Sequence, residues 1–117
     1  MHCWDHVRWQ DRLLGRDAAW AEREMRRALQ RHAEVFGAPA RLHGAAGWPF
    51  NPAAAQAETA LGIEFASDTR GSHAFLPVAD DGAALGSPQY PTTLPTLDSS
   101  SASTGSRRTT CTSTCWR

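Results

Sequence analysis

The chain has 117 residues, with 12 arginines against 12 acidic residues, no lysine and a formal charge of zero. That balance gives no electrostatic case for nucleic acid or anionic lipid, and no run approaches the roughly 20 apolar residues that cross a bilayer. Hydrophobic residues are 41% of the total and many are alanine, which buries little area and argues against a complete domain.

Met1 is followed by no signal peptide, so a cytoplasmic location is expected, with any membrane contact peripheral at the inner membrane. Cys3, Cys111 and Cys115 are an odd set without the spacing of a disulfide framework, which agrees with a reducing compartment. Cys111 and Cys115 are four apart, as a metal half-site would be; two thiols in a flexible tail is the simpler account.

The first motif is His2-Cys3-Trp4-Asp5-His6. Imidazoles four residues apart, on a helical turn or a tight loop entering one, can aim both rings at one point, and neutral imidazole is the commonest zinc ligand. Two ligands do not complete a site, because a catalytic zinc takes three protein groups plus water. The chain is therefore expected to be a piece of a longer enzyme. A bare surface pair is the competing account of His2 and His6.

Residues 7–16 read as a short loop or irregular helix anchored by Trp9. A helix is predicted from about 17 to 36, with Asp17 as N-cap, glutamates early and arginines late. Ala21, Met25, Ala28, Leu29, His32, Val35 and Phe36 share one face at helical spacing, and His32 is expected there as a core or boundary residue. Gly37 and Pro39 stop the helix. Residues 40–44 suggest a short strand, followed by the small-residue turn Ala45-Ala46-Gly47-Trp48. Asn51 caps a second helix with Pro52 in its first position, and Leu61-Gly62 ends it. Residues 63–67 form the clearest strand.

The order helix, strand, helix, strand predicts α/β architecture on a parallel sheet. In such folds chemistry collects at the C-terminal ends of strands, here residues 45–48 and 67–71. Pro88, Pro91 and Pro95 make residues 89–97 an edge or irregular strand. Eleven of the nineteen residues from 99 to 117 are Ser or Thr, a composition expected to be disordered. A natural flexible tail and a shifted reading frame both account for it.

Four motifs occur in a set order: His2-Cys3-Trp4-Asp5-His6 with Trp9-Gln10, Ala45-Ala46-Gly47-Trp48, Ser67-Asp68-Thr69-Arg70-Gly71, and Pro91-Thr92-Thr93-Leu94-Pro95-Thr96-Leu97-Asp98. Together they resemble the polysaccharide deacetylase (NodB-homology) superfamily. Within it they are most similar to the deformylases that act on 4-deoxy-4-formamido-L-arabinose-phosphoundecaprenol in lipid A modification. The resemblance covers residues 1–98 and corresponds to the middle of a longer enzyme. It implies a partial (β/α) barrel over residues 1–98, followed by the tail of 99–117. It also implies one divalent metal, usually zinc, and a lipid-linked or polymeric amino sugar as substrate.

By the same resemblance, His2 and His6 match the two metal-binding histidines. Ala46 and Gly47 match the loop whose backbone faces the oxyanion. Asp68 and Arg70 match a motif lining the site, as orienting rather than proton-transferring groups, and Trp4, Trp9 and Trp48 are candidates to pack on sugar or lipid. The family's early Asp-x-Asp motif, which supplies the base and third ligand, is absent, and so is its late histidine acid. Neither His43 nor His73 matches that histidine. Loss of base and acid each costs orders of magnitude in rate, so the chain alone is expected to show no measurable deformylase activity. A fragment of a carbohydrate N-deacetylase acting on chitin-like or peptidoglycan sugars is the nearest alternative. A small non-catalytic binding protein is a third.

Overall fold

The computed structural model describes residues 1–94, and the readings made for residues 95–117, including the tail and its two cysteines, lie outside the described residues. Helix α1 spans His6–Arg12, and its N-cap Asp5 accepts a hydrogen bond from the Arg8 backbone N–H at 2.9 Å. A 3-10 turn, Leu13–Gly15, follows it. The short loop or irregular helix expected over residues 7–16 is thus a helix of two turns and a 3-10 turn, with Trp9 buried as the expected anchor.

Helix α2 spans Ala18–Phe36. Asp17 caps it by accepting from the Trp20 N–H at 2.8 Å, which satisfies one of the orphan donors of the first turn. Gly37 ends it at φ 74°, donating to Ala33 O at 2.8 Å. Only a residue without Cβ takes that backbone conformation cheaply. The apolar stripe on α2 is buried over Ala21, Met25 and Ala28 but not at its end, where Phe36 is 71% exposed. The reason is geometric: α3 packs against α2, and nine residues of α3 cannot cover nineteen of α2. His32 is half-buried, with Nδ1 3.0 Å from Ala38 O, the boundary position expected for it.

Strands β1 (Leu42–His43) and β2 (Phe65–Ala66) pair in parallel, with Leu42 opposite Phe65 and His43 opposite Ala66. Helix α3 (Pro52–Ala60) forms the crossover between them. The α/β order and parallel pairing are as expected, but each strand holds two residues rather than five. Pro39, the small-residue turn after Gly44, and Gly62 at φ 71° bound the strands closely. Single parallel bridges join Ala66 to Gln89 and Arg70 to Thr92. Pro88 and Pro91 have no N–H to donate, so this segment pairs at isolated points only.

The core gathers Trp9, Leu13, Trp20 and Met25 with the alanines of α3 and Ile63. The rings of Trp9 and Trp20 stack at 5.8 Å. Alanine keeps the α2–α3 approach close, and the tryptophans supply the area that alanine lacks. Glu24, on the buried side of α2, pairs with Arg8 of α1 at 3.1 Å. Among the described residues no helix is long and apolar enough to cross a membrane.

Candidate functional site

The N-terminal residues lie along the free edge of β1. The Met1 amino group donates to Leu42 O at 2.8 Å, and the Gly44 N–H donates to Met1 O at 3.0 Å. This places His2 beside Gly44, with Nδ1 2.8 Å from its carbonyl oxygen. A carbonyl only accepts, so that contact puts the proton on Nδ1 and leaves Nε2 as an acceptor. Nε2 lies 3.1 Å from Nδ1 of His6. The Asp5 cap fixes where α1 starts, and so where His6 projects.

Two imidazole nitrogens on a tetrahedral zinc, with bonds of about 2.0–2.1 Å, stand roughly 3.3 Å apart. The spacing of the pair is close to that of two positions of such a centre, and the Gly44 carbonyl stands where an outer partner would orient His2. Among the described residues no third His, Cys, Asp or Glu ligand atom closes on the pair.

Between these histidines, Cys3 has φ 55°, a left-handed backbone that turns its side chain toward the interior. Its Sγ lies 3.6 Å from His43 Nε2 and accepts from the Ala46 N–H at 3.5 Å. The Ala45 N–H donates to Asp68 Oδ1 at 2.7 Å. Gly47 follows at φ 73°, and a Cβ there would stand 2.6 Å from the Gln10 side chain. The small residues of this turn thus let Cys3 and Gln10 approach the backbone. Trp48, at φ 60°, donates from Nε1 to Thr92 Oγ1 at 3.1 Å, and the Arg70 guanidinium lies 5.1 Å from its ring centre. Arg70 also donates to Leu94 O at 3.3 Å. Trp4 is half-exposed, with Arg27 of α2 over its ring at 4.5 Å.

Asp68 does not face solvent. It is fully buried with His43 and Glu58, and Nδ1 of His43 sits 3.0 Å from Glu58 Oε1 and 3.1 Å from Asp68 Oδ1. Gln89 braces the same carboxylate: its Oε1 accepts from the Asp68 N–H at 3.0 Å, and its Nε2 stands 3.5 Å from Oδ2. Burial pushes Glu58 up to about 8, reinforced by the neighbouring Asp68. Burial also works against ionised Asp68, but hydrogen bonds from His43 and Glu58, the imidazolium charge and the Ala45 N–H bring it down to about 2. Burial opposes protonation of His43, yet hydrogen bonds to Asp68, Cys3 and Glu58 raise it well above its ordinary value. The metal-free cluster is thus imidazolium, carboxylate and carboxylic acid, with no net charge. Its three ligand-type atoms lie within 4.8 Å of one another and could hold a metal ion.

Of the residues singled out in the sequence, the structure brings His2 to His6, Ala45 and Ala46 to Asp68 and Cys3, and Arg70 to Trp48. Glu58 was missed. Its signal was a lone carboxylate on the alanine face of α3, beside Ala54, Ala55 and Ala57, where a charge demands a partner.

No family model matches the chain. It is 32% identical over 99 residues to a protein of Shewanella sediminis (strain HAW-EB3) named probable 4-deoxy-4-formamido-L-arabinose-phosphoundecaprenol deformylase, covering 84% of this chain and 30% of that protein. A protein of the same name from Wigglesworthia glossinidia brevipalpis is 28% identical over 107 residues, covering 84% of this chain and 34% of its own length. The chain spans about a third of the length of these curated relatives.

Proposed function

We propose that this chain carries the histidine pair and the adjoining turn of a metal-dependent carbohydrate amide hydrolase of the deformylase type, with a formamido sugar on a lipid carrier as substrate. The observation that carries this reading is the His2–His6 pair: Nε2 and Nδ1 are 3.1 Å apart, and the Gly44 carbonyl orients His2. The similarity to the two deformylases supports the choice of a formyl over an acetyl group.

His2 and His6 would hold the divalent metal, which when bound supplies Lewis acidity toward water and an amide carbonyl. The chain's own part is positional. Gly44 O holds the His2 ring by its proton, Asp5 holds the helix start that presents His6, and the residue 45–48 turn keeps backbone close to the pair. Trp48, with Arg70 against its ring, offers an apolar and cationic surface suited to a sugar phosphate. A barrel completed by further strands would supply the carboxylate ligand and the proton-transferring groups, so the chain by itself is expected to bind without turnover.

Line broadening of the formyl proton of a 4-formamido-4-deoxyarabinose phosphate, measured with and without zinc, tests this. Zinc-dependent binding that disappears in His6→Ala is expected, with weaker binding of the acetamido analogue. Binding indifferent to zinc or to His6 would overturn the proposal. Preference for the acetamido sugar would move the assignment to a carbohydrate N-deacetylase.

A further inference from the structure

The proposed hydrolase site leaves the buried cluster of His43, Glu58 and Asp68 without a chemical role. We infer that these three residues form a second divalent-metal site, of the zinc class, separate from the His2–His6 pair.

Three observations carry this. First, the ligand atoms come from three different parts of the fold, β1, α3 and the segment after β2, and converge: His43 Nδ1 is 3.0 Å from Glu58 Oε1 and 3.1 Å from Asp68 Oδ1. A cation bonded at about 2.0–2.2 Å to each needs edges of roughly 3.3 Å, a few tenths of an ångström from the two that His43 Nδ1 makes, and all three atoms lie within 4.8 Å of one another. Second, Glu58 Oε2 is buried without any hydrogen-bond partner, and Glu58 as a whole is fully buried. A buried acceptor left unpaired is destabilising, and bidentate binding through Oε1 and Oε2 would give it a partner and the centre a fourth donor. Third, one Nδ1 hydrogen faces two carboxyl oxygens at nearly equal distance, where a divalent cation would bond to all three groups. Neutral imidazole with two carboxylates carries two negative charges, which the cation balances.

The outer partners suit this assignment. The Ala45 N–H holds Asp68 Oδ1, Gln89 Nε2 stands near Oδ2, and Cys3 Sγ lies by Nε2 of His43. These contacts orient ligands as the outer shell of a metal site does. An open groove of about 340 Å³, lined by Leu42, Phe65, Ser67 and Tyr90, borders His43.

The test uses the full chain carrying both His2→Ala and His6→Ala, stripped with a chelator and titrated with Co²⁺ (visible absorption) and with Zn²⁺ (competition against a chromophoric chelator). About one equivalent should bind, and Trp9, whose ring meets His43 edge-on at 5.6 Å, should report it by fluorescence. Adding Glu58→Gln should weaken binding by at least the roughly 10–100-fold that follows loss of an outer partner. No saturable uptake, or unchanged affinity in Glu58→Gln with native circular dichroism, would overturn the inference and leave the cluster a proton-bridged ion pair. Where the double-histidine variant fails to fold, Glu58→Gln alone decides: it should remove one of two equivalents from the otherwise unaltered chain. Failure of the His2–His6 assignment is separate, since it would leave this equivalent in place.

Discussion

The carboxylate of Asp68 and the carboxyl of Glu58 sit within reach of one imidazole, and their opposite shifts set how the metal-free protein responds to pH. Glu58 is raised from 4.5 to about 8, so it contributes no penalty below pH 4.5 and an increasing one as the pH climbs through 8. His43 is raised too, and its contribution is present below pH 6.5 and lost as the pH rises through its folded value. Asp68 is depressed from 3.8 to about 2, so its contribution is present above pH 3.8 and lost as the pH falls toward 2. Urea midpoints should therefore be highest near pH 4–5 and fall toward pH 8, and Glu58→Gln should flatten the alkaline fall while leaving the acid limb. A midpoint that rises from pH 5 to pH 8 in the metal-free protein would contradict this account. Gly47 makes a second residue-scale prediction. At φ 73° and with Gln10 against the place of its Cβ, Gly47→Ala should cost about 1 kcal/mol or more in urea unfolding. It should also disturb the turn beside the histidine pair, lowering zinc affinity.

At the scale of the helices, capping decides where each element starts, and it was legible from residue type and position. Asp17, Gly37, Asn51 and Pro52 all stand where the pattern placed them, because a cap depends only on a few neighbouring backbone groups. Asp17→Ala should lower stability by about 1 kcal/mol, the typical value for loss of an N-cap. Asn51→Ala should cost more, since Asn51 accepts from the Ala54 N–H at 2.9 Å and also donates to Leu13 O at 2.9 Å, tying α3 to the turn after α1. Thermal melts of the two variants under one buffer would show the order; equal losses would mean that the tie to Leu13 contributes nothing. The strands were less legible. Ile63 is buried and the 63–67 run is apolar enough to suggest five paired residues, yet pairing depends on what lies alongside, and Phe65 and Ala66 are the two that stand in register with β1.

Across the whole molecule, stability rests on few large side chains because most core positions are alanine. Trp9 is buried against Trp20 and His43, so it touches both the helical core and the ionic cluster. Trp9→Ala should cost about 3–5 kcal/mol, enough to unfold a marginal chain, and loss of cooperative unfolding by circular dichroism is the expected result. Trp4→Ala, at a half-exposed position, should change little. A face with Leu42, Phe65 and Tyr90 partly exposed accompanies this thin core.

The histidine spacing, the caps, the turn residues and the α/β order were determined by the sequence itself, because each is a local rule acting over a few residues. The tertiary structure alone decided that Gly44 orients His2, that Cys3 turns inward, and that His43, Glu58 and Asp68 meet. Those contacts join residues 15 to 43 positions apart. The N-terminal residues along the edge of β1, and α3 packed across two parallel strands, bring such distant donors and acceptors within hydrogen-bond range, and no periodicity in the chain encodes that distance.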